Sequence, residues 1–221
     1  DGRDLIDGGE GWDSIYGEAG SDFLAGNTGN DFISGGSGSD RIHGASSGDA
    51  NRTFHERPEG KYDADTLEGG PSNDTIFGGY QNDVLAGDSG LDELHGDDGN
   101  DTINAGTHND KVYGGLGDDR LAGDIGRDTI LGEEGNDRIR GDSQYDLDSK
   151  NFAPTAPEQH GADSILGGDG DDRIWGEGGR DTINGGIGND RIVDEFGAAD
   201  SRRSEVTAGD GVGDIDRLII N

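Results

Sequence analysis

Single aliphatic residues recur along this chain in a background of glycine and polar residues, each two positions after an aspartate. Successive aspartates are nine residues apart within three blocks, and the aliphatic residue is Ile, Leu or Val in all eighteen units. The aspartates are Asp4, Asp13, Asp22, Asp31, Asp40, Asp65, Asp74, Asp83, Asp92, Asp101, Asp110, Asp119, Asp128, Asp137, Asp163, Asp172, Asp181 and Asp190. The pattern predicts a repeat protein built from nine-residue units.

Each unit predicts a turn followed by a short strand. We number the unit from its first glycine, so the aspartate is position 6 and the aliphatic residue is position 8. Positions 1 to 6 are rich in glycine, as in a tight turn, and positions 7 to 9 alternate outward, inward, outward. A strand with one inward side chain is unstable alone, so units i and i+2 are expected to stack as parallel strands about 4.8 Å apart. The predicted fold is all-β, a right-handed parallel β-roll, which is a solenoid of short strands.

Charge changes this picture, because the net charge is −32 and hydrophobic residues make up only 28% of the 221 residues. Such a composition is typical of a disordered chain unless bound cations remove the charge. It argues against nucleic acid and anionic membranes as partners. The chain also lacks an apolar run long enough to span a membrane, and without cysteine it has no disulfide and no thiolate metal site.

The predicted stacking places each aspartate above another, and like charges at about 5 Å repel by roughly 1 to 3.5 kcal/mol per pair. Calcium relieves this repulsion, since it takes about six to eight oxygen ligands, which a carboxylate and the carbonyls of a glycine turn supply. About a dozen ions are expected. At a calcium concentration about 100 times the dissociation constant, each bound ion would add ~2.7 kcal/mol to the free energy of unfolding, so the ions would decide whether the chain folds. The predicted ligands are Asp13, Asp22, Asp31, Asp40, Asp65, Asp74, Asp83, Asp92, Asp101, Asp110, Asp119, Asp128, Asp137, Asp163, Asp172, Asp181 and Asp190.

The pattern G-G-x-G-x-D-x-U-x, in which U is aliphatic, is matched well by GGSGSDRIH at 35–43, GGDGDDRIW at 167–175 and GGIGNDRIV at 185–193. With its many tandem copies, roughly residues 1–193 of the chain resemble the RTX, or hemolysin-type, calcium-binding repeats of bacterial secreted proteins. The resemblance implies a β-roll with calcium held between turns two units apart, by position 6 carboxylates and turn carbonyls. It also implies type I secretion and folding when calcium is met outside the cell.

Several turns depart from this pattern, and we expect those that differ at position 2 or position 4 to bind calcium more weakly or not at all. Position 1 is Ala105 or Asp194 instead of glycine in two units, and position 4 is Ser72, Gln81 or His108 in three. Position 2 is acidic or Asn at Glu18, Asn27, Asp88, Asp97, Asp124 and Glu133, among others.

The predicted roll covers residues 1–193, with two loop insertions inside turns, at 45–63 and 142–161. Counting units, the insertions are expected on opposite edges of the roll. Asp142, Asp146 and Asp148 are candidates for an extra cation site, although a solvated loop explains them as well and is favoured. Residues 194–221 lose the period and are predicted to cap the last coil.

The outward faces of the two predicted sheets differ. One carries arginine at position 7 of four successive coils, Arg120, Arg138, Arg173 and Arg191, while position 9 of the other forms a partly apolar row: His43, Phe77, His95, Tyr113, Leu131 and Leu166. One hypothesis is that the arginines bind an acidic polysaccharide. The favoured alternative is that they only moderate the negative charge of a solvated face. The apolar row is predicted to pack against another domain or copy.

No catalytic constellation is recognised, because the five histidines lack paired metal-site spacing and the chain has no G-x-S-x-G motif or cysteine nucleophile. We therefore predict a protein that is not an enzyme. The expected function is a calcium-binding structural segment of a large secreted or cell-surface bacterial protein, with neighbouring domains of a longer chain as partners. The alternatives are the secretion and folding module of an exported lipase, protease or polysaccharide epimerase, and a module that binds acidic glycans through the arginines.

Overall fold

The computed structural model of the protein describes residues 2–44, 64–142, 161–194, 205–207 and 217–220, which contain twenty β-strands and no helix. The odd-numbered strands are β1 (Leu5–Glu10), β3 (Phe23–Thr28), β5 (Arg41–His43), β7 (Thr75–Tyr80), β9 (Glu93–Asp98), β11 (Lys111–Leu116), β13 (Thr129–Glu134), β15 (Ser164–Asp169), β17 (Thr182–Ile187) and β19 (Glu205–Thr207). The even-numbered strands are β2 (Ser14–Tyr16), β4 (Phe32–Ser34), β6 (Thr66–Pro71), β8 (Val84–Ser89), β10 (Thr102–Thr107), β12 (Arg120–Ile125), β14 (Arg138–Arg140), β16 (Arg173–Trp175), β18 (Arg191–Asp194) and β20 (Arg217–Ile220).

The strands form two ten-stranded parallel sheets, one of odd-numbered and one of even-numbered strands, which we call the odd sheet and the even sheet. Two successive strands make one coil. Each residue pairs with the equivalent residue one coil away, so that Ile103 of β10 lies between Leu85 of β8 and Leu121 of β12. This register confirms the predicted all-β solenoid, in which units i and i+2 stack as parallel strands.

Many strands are longer than the three residues predicted. Between β1 and β3 the pairing begins at Leu5↔Phe23 and extends to Glu10↔Thr28, so positions 2 and 3 of the turn remain in the ladder. The physical reason is that neighbouring coils bend at the same position. Their turn backbones therefore face each other and hydrogen-bond as in a flat strand, an effect that is not visible in a single unit.

The core consists of one inward aliphatic side chain per strand. Ile6 is partly buried, and the other predicted core residues are no more than 5% exposed: Ile15, Leu24, Ile33, Ile42, Leu67, Ile76, Leu85, Leu94, Ile103, Val112, Leu121, Ile130, Ile139, Ile165, Ile174, Ile183 and Ile192. Burial of each such side chain stabilises the fold by about 1.5–3 kcal/mol. The core is therefore a narrow double row that runs the length of the roll, with the turns on both sides of it.

Beyond the last regular unit the chain adds one strand to each sheet, with β19 paired to β17 and β20 paired to β18. The capping role of residues 194–221 and the boundary at residue 193 stay predictions. Most of both insertions, with Asp146 and Asp148, lies outside the described residues, and their placement on opposite edges of the roll stays a prediction. In the described ranges no helix is long and apolar enough to cross a membrane.

Candidate metal-binding turns

The position 6 aspartates form two continuous columns, one along each edge of the roll. Within a column the backbone N–H of each aspartate donates to Oδ1 of the aspartate one coil later, for example from Asp83 to Asp101 at 2.8 Å. The same bond links Asp128 to Asp163 at 2.9 Å, across the second insertion. One column contains Asp4, Asp22, Asp40, Asp74, Asp92, Asp110, Asp128, Asp163 and Asp181. The other contains Asp13, Asp31, Asp65, Asp83, Asp101, Asp119, Asp137, Asp172 and Asp190.

These carboxylates are buried, but in most of them only one of the two oxygens accepts a hydrogen bond. From Asp22 to Asp190 each aspartate of the two columns is no more than 3% exposed. Whereas Oδ1 accepts a backbone N–H, Oδ2 is buried and accepts no hydrogen bond at Asp13, Asp22, Asp40, Asp74, Asp83, Asp92, Asp101, Asp110, Asp119, Asp128, Asp137, Asp163 and Asp172. A buried carboxylate oxygen without a donor costs several kcal/mol, so each column requires protons or bound cations.

Burial raises the pKa of many column carboxyls, for example at Asp83, Asp163 and Asp101, and the donated backbone N–H opposes the shift. Burial raises the pKa of Asp83 to about 9. The hydrogen bond from the backbone N–H of Asp65 opposes this rise, and the carboxylates of Asp65 and Asp101 add to it. Burial, followed by the Asp142 carboxylate, raises the pKa of Asp163 to about 9 as well. The pKa is raised to about 7, with burial as the largest cause, at Asp74, Asp92, Asp101, Asp110, Asp119, Asp137 and Asp172.

Where position 1 is glycine, it leaves a gap beside the Oδ2 atom that accepts no hydrogen bond. A Cβ placed on Gly78 would lie 2.6 Å from Asp83 Oδ2 and 2.8 Å from the carbonyl oxygen of Gly96. At Gly114 the corresponding distances, to Asp119 Oδ2 and the Gly132 carbonyl oxygen, are both 2.5 Å. A side chain would therefore fill a space that is lined by one carboxylate oxygen and one carbonyl oxygen of adjacent coils.

Turns that carry a non-glycine residue at position 2 or 4 keep the left-handed backbone conformation of the glycine turns. At position 2, φ lies between 66° and 76° at Glu18, Asn27, Asp88, Asp97, Asp124, Glu133 and Glu177. At position 4, φ is 104° at Ser72, 78° at Gln81 and 95° at His108. Left-handed conformations cost an L-residue about 1–2 kcal/mol, so these turns are strained but similarly shaped. At position 1, Ala105 is fully buried, and its methyl group occupies the place that glycine leaves open.

The residues present fit a hard divalent cation. Calcium is held in proteins by carboxylate and carbonyl oxygens, which are the two kinds of oxygen that line the position 1 gap. No group of three or more His, Cys, Asp or Glu side chains with metal-site geometry occurs in the described part of the chain. Sites at these turns would accordingly use one or two carboxylates each and complete their ligand set with main-chain carbonyls.

A second ladder, not predicted from the sequence, runs along position 5. Asn100 N–H donates to Asn82 Oδ1 at 2.9 Å, and the bond repeats on successive coils through Asp118, Asn136, Asp171 and Asn189. These side chains are exposed, and their amide and carboxylate oxygens accept N–H groups of the turn above. The recurrent Asn-Asp and Asp-Asp pairs at positions 5 and 6 were the signal that could have revealed it.

The four arginines predicted to form a row do lie in register on the even sheet, as Arg120↔Arg138, Arg138↔Arg173 and Arg173↔Arg191. Arg217 continues the register on β20, which the sequence analysis missed. Arg173 and Arg191 are exposed, whereas Arg120 and Arg138 are half-buried. The binding of an acidic polysaccharide by this row stays a prediction.

The chain was compared with protein families and with curated proteins. The family model described as RTX calcium-binding nonapeptide repeat matches residues 1–24, 16–49, 59–94, 87–121, 113–148 and 161–192. These overlapping matches cover more than half of the chain and include the aspartates of both columns. No curated protein matches it.

Proposed function

Since the chain belongs to the RTX calcium-binding nonapeptide repeat family, we propose that it is a calcium-folded structural segment of a large secreted or cell-surface bacterial protein. The family binds calcium in a β-roll. We further propose that the segment is disordered before it meets calcium, and that calcium outside the cell folds it into a rigid rod. The parent protein would supply neighbouring domains on either side of this rod.

One observation carries the proposal: in thirteen aspartates of the two columns, among them Asp83, Asp101 and Asp119, the buried Oδ2 atom has no hydrogen-bond donor. Their burial is costly while they are charged and without cations, and their regular spacing offers an equivalent site at each coil. The ligands we propose are the seventeen aspartates from Asp13 to Asp190 in the two columns, together with turn carbonyl oxygens. About a dozen ions would be bound, because the three turns with Ser72, Gln81 or His108 at position 4, the last of which also carries Ala105 at position 1, would bind weakly or not at all.

In this proposal the chain's own residues prepare the sites. Each Oδ1 is fixed by a backbone N–H of the preceding coil, which aims Oδ2 at the turn. The glycine at position 1 keeps the adjacent gap open. Calcium, when bound, supplies the positive charge that allows the carboxylates to stack.

The test is a calcium titration of metal-stripped protein, monitored by far-ultraviolet circular dichroism and by isothermal titration calorimetry. We expect a change from coil to β-structure and binding of about a dozen ions, with magnesium unable to replace calcium because it demands near-octahedral geometry and keeps its waters. A chain that is folded without calcium at neutral pH, or that binds two or three ions, would contradict the proposal.

We also propose that the segment is exported by a type I pathway, unfolded, because cytosolic calcium is too scarce to fold it. The support is its family and its net charge of −32, which opposes compaction when no cation is bound. Export as part of an enzyme would use the same calcium switch. Translocation of the metal-free chain and of the chain already folded by calcium would test this: the metal-free chain should be exported, and the calcium-loaded, prefolded chain should not.

A further inference from the structure

The second insertion begins at a buried acid, Asp142, which occupies position 2 of its unit and is 1% exposed. The position 2 acids of several other turns are exposed instead: Glu18, Asp88, Asp97 and Glu133. The corresponding residue of the first insertion is Ala45, which brings no charge. A buried carboxylate is costly unless hydrogen bonds and positive charge compensate it, so the surroundings of Asp142 decide whether its burial is favourable.

The Asp142 carboxylate joins the two ends of the insertion. Its Oδ1 accepts the backbone N–H of Gly161 at 2.6 Å, although the two residues are 19 positions apart in the chain. Gly161 also borders the next column carboxylate, because a Cβ placed on Gly161 would lie 3.0 Å from Asp163 Oδ1. The carboxylates of Asp142 and Asp163 therefore flank the same glycine, and the two residues come from opposite ends of the insertion.

A gap that suits a cation lies beside these residues. A Cβ placed on Gly141, the residue before Asp142, would clash with Asp163 Oδ2 and would lie 2.6 Å from the carbonyl oxygen of Gly176. Asp163 is 2% exposed, and its Oδ2 is buried and accepts no hydrogen bond. The gap is thus lined by a carboxylate oxygen without a donor and by a main-chain oxygen of the next coil, which are the two kinds of ligand that calcium takes.

The Gly141 turn differs from other turns with such a gap by its additional acid. At Gly78, where the gap has the same kind of lining, the next residue is Gly79. At the second insertion the next residue is Asp142, and after burial its carboxylate contributes most to the raised pKa of Asp163. The Gly141 turn therefore brings a second carboxylate close to the one that the repeat provides.

A buried cation of this region already has an acidic partner. Arg140 is 6% exposed, its guanidinium lies 5.4 Å from the centroid of the Trp175 ring, and its Nη1 lies 3.6 Å from Glu177 Oε1. Burial raises the pKa of Asp142 to about 8, and the Asp181 carboxylate adds to this rise. Arg140 thus supplies one positive charge to a region with several carboxylates, and a divalent cation would still be attracted to the turn.

We propose that Asp142 is a calcium ligand which the repeat pattern does not supply, and that with Asp163 and the Gly176 carbonyl oxygen it makes the Gly141 turn a tighter site than turns with glycine at position 2. Calcium affinity depends on the number of charged ligands, so a second carboxylate strengthens the site. An ion bound by Asp142 and Asp163 would also hold the ends of the insertion together and offset the entropic cost of the longer turn. The proposal rests on the proposed function, since it concerns one turn of the same calcium-folded roll.

The test uses the full 221-residue chain with the substitution Trp12→Phe, which leaves Trp175 as its one tryptophan. Trp12 is 83% exposed, so its replacement should not disturb the fold. Terbium(III) takes oxygen ligands as calcium does, and its emission is sensitised by a tryptophan nearby. Because Trp175 directly precedes Gly176, this emission reports on the turns beside Gly176, which include the Gly141 turn.

Two variants at Asp142 separate its charge from its hydrogen bond. Asp142→Asn removes the charge but keeps an oxygen that can accept the Gly161 N–H, and Asp142→Ala reproduces the alanine of the first insertion. We expect both to raise the terbium concentration at half-maximal emission at least about tenfold. Emission lifetimes in H2O and D2O count the waters on the ion, and D142A should show about one more.

The matched control is Asp88→Asn, which removes the same charge from an exposed position 2 side chain of a turn in the same column. It should change neither the terbium affinity beside Trp175 nor the number of coordinated waters. Circular dichroism in calcium is measured on every variant. If D142A does not fold, D142N carries the test, because it keeps the acceptor for Gly161.

The outcomes separate this proposal from the proposed function. A parent chain that does not fold in calcium would contradict the proposed function, and the Asp142 site would fall with it. A chain that folds in calcium, and whose D142N and D142A variants bind terbium like the parent with the same number of waters, would overturn the Asp142 site alone. Equal weakening by D88N, or weaker binding by D142A without an added water, would show that Asp142 acts only through its charge at a distance and would overturn its assignment as a ligand.

Discussion

At the residue scale, the orphaned Oδ2 of a column aspartate predicts opposite effects of one substitution with and without calcium. Asp101 is fully buried, and Asp101→Asn preserves its shape but removes a charge and a hard ligand. In calcium we expect the free energy of unfolding to fall by about 2.7 kcal/mol for each ion lost. Without calcium at neutral pH, the same change should favour the folded state, because a buried charge disappears.

The measurement is thermal or urea unfolding of the Asp101→Asn variant in excess calcium and in chelator. Glu134→Gln, which removes the same charge from an exposed side chain, is the control and should change little in calcium. Equal losses for the two variants in calcium would mean that net charge, and not a ligand at position 6, determines stability.

The absence of a side chain at the position 1 glycines leads to a second prediction at the residue scale. Gly114→Ala would bring a methyl group to 2.5 Å from both Asp119 Oδ2 and the Gly132 carbonyl oxygen. We expect about 1–3 kcal/mol of destabilisation from overpacking and weaker calcium binding at that turn. The reciprocal change Ala105→Gly should open the equivalent gap beside Asp110 and add calcium affinity. Calorimetric ion counts and affinities for both variants check this, and an unchanged count and affinity in Gly114→Ala would exclude position 1 as a determinant of calcium binding.

At the element scale, the predicted apolar row is a stack of rings. His43, Phe77, His95 and Tyr113 have centroids 4.8, 4.6 and 4.5 Å apart, with ring planes within 11° of parallel. Because neighbours cover the ring faces, the row presents mainly ring edges. Its first consequence is a stiffer odd sheet, and the packing against another domain or copy that we expected from the sequence stays a prediction.

Removing the middle of the stack tests this role. Phe77→Leu keeps the apolar volume but loses two stacked pairs, so we expect a loss of about 1–3 kcal/mol of unfolding free energy in calcium. Phe32→Leu loses a single tilted contact with Tyr16, with centroids 5.7 Å apart, and should cost less. Denaturant unfolding in calcium would compare them, and an equal cost would show that stacking adds nothing beyond burial.

The elements also show what the sequence could reveal. The inward Ile, Leu or Val at position 8 follows from periodicity, as do the two sheets and the register of Arg120, Arg138, Arg173 and Arg191, because one unit constrains the next. The position 5 ladder from Asn82 to Asn189 and the extension of strands into positions 2 and 3 did not follow. Both arise from hydrogen bonds between coils, which only the stacked backbone creates. The position 6 columns were predicted as sites, but their Oδ1 bond to the preceding coil was not.

At the scale of the whole molecule, folding depends on how the negative charge is compensated. The chain buries two columns of carboxylates around a core that is one side chain deep per strand. Such a core cannot offset many uncompensated buried charges, so cations or protons decide whether the roll forms. This view predicts that protons can partly replace calcium.

The sign of this effect follows from the raised pKa values. The pKa of an Asp in an unfolded chain is about 3.9, whereas burial raises the pKa of Asp101 and Asp119 to about 7 and that of Asp83 to about 9 in the folded roll. Between these limits the folded state binds more protons, so stability of the metal-free roll is fully present below the unfolded pKa and is lost as pH rises through 7 to 9.

We therefore expect metal-free protein to gain β-structure when the pH is lowered from about 8 to about 5.5, and calcium affinity to fall over the same range because protons compete for the carboxylates. Circular dichroism in chelator across this range, with calcium titrations at both ends, measures the two effects together. Asp101→Asn should reduce the acid-induced gain, since it removes one of the protonating groups. Metal-free protein that gains β-structure as the pH rises would show that the column carboxylates are not the groups that hold the roll open.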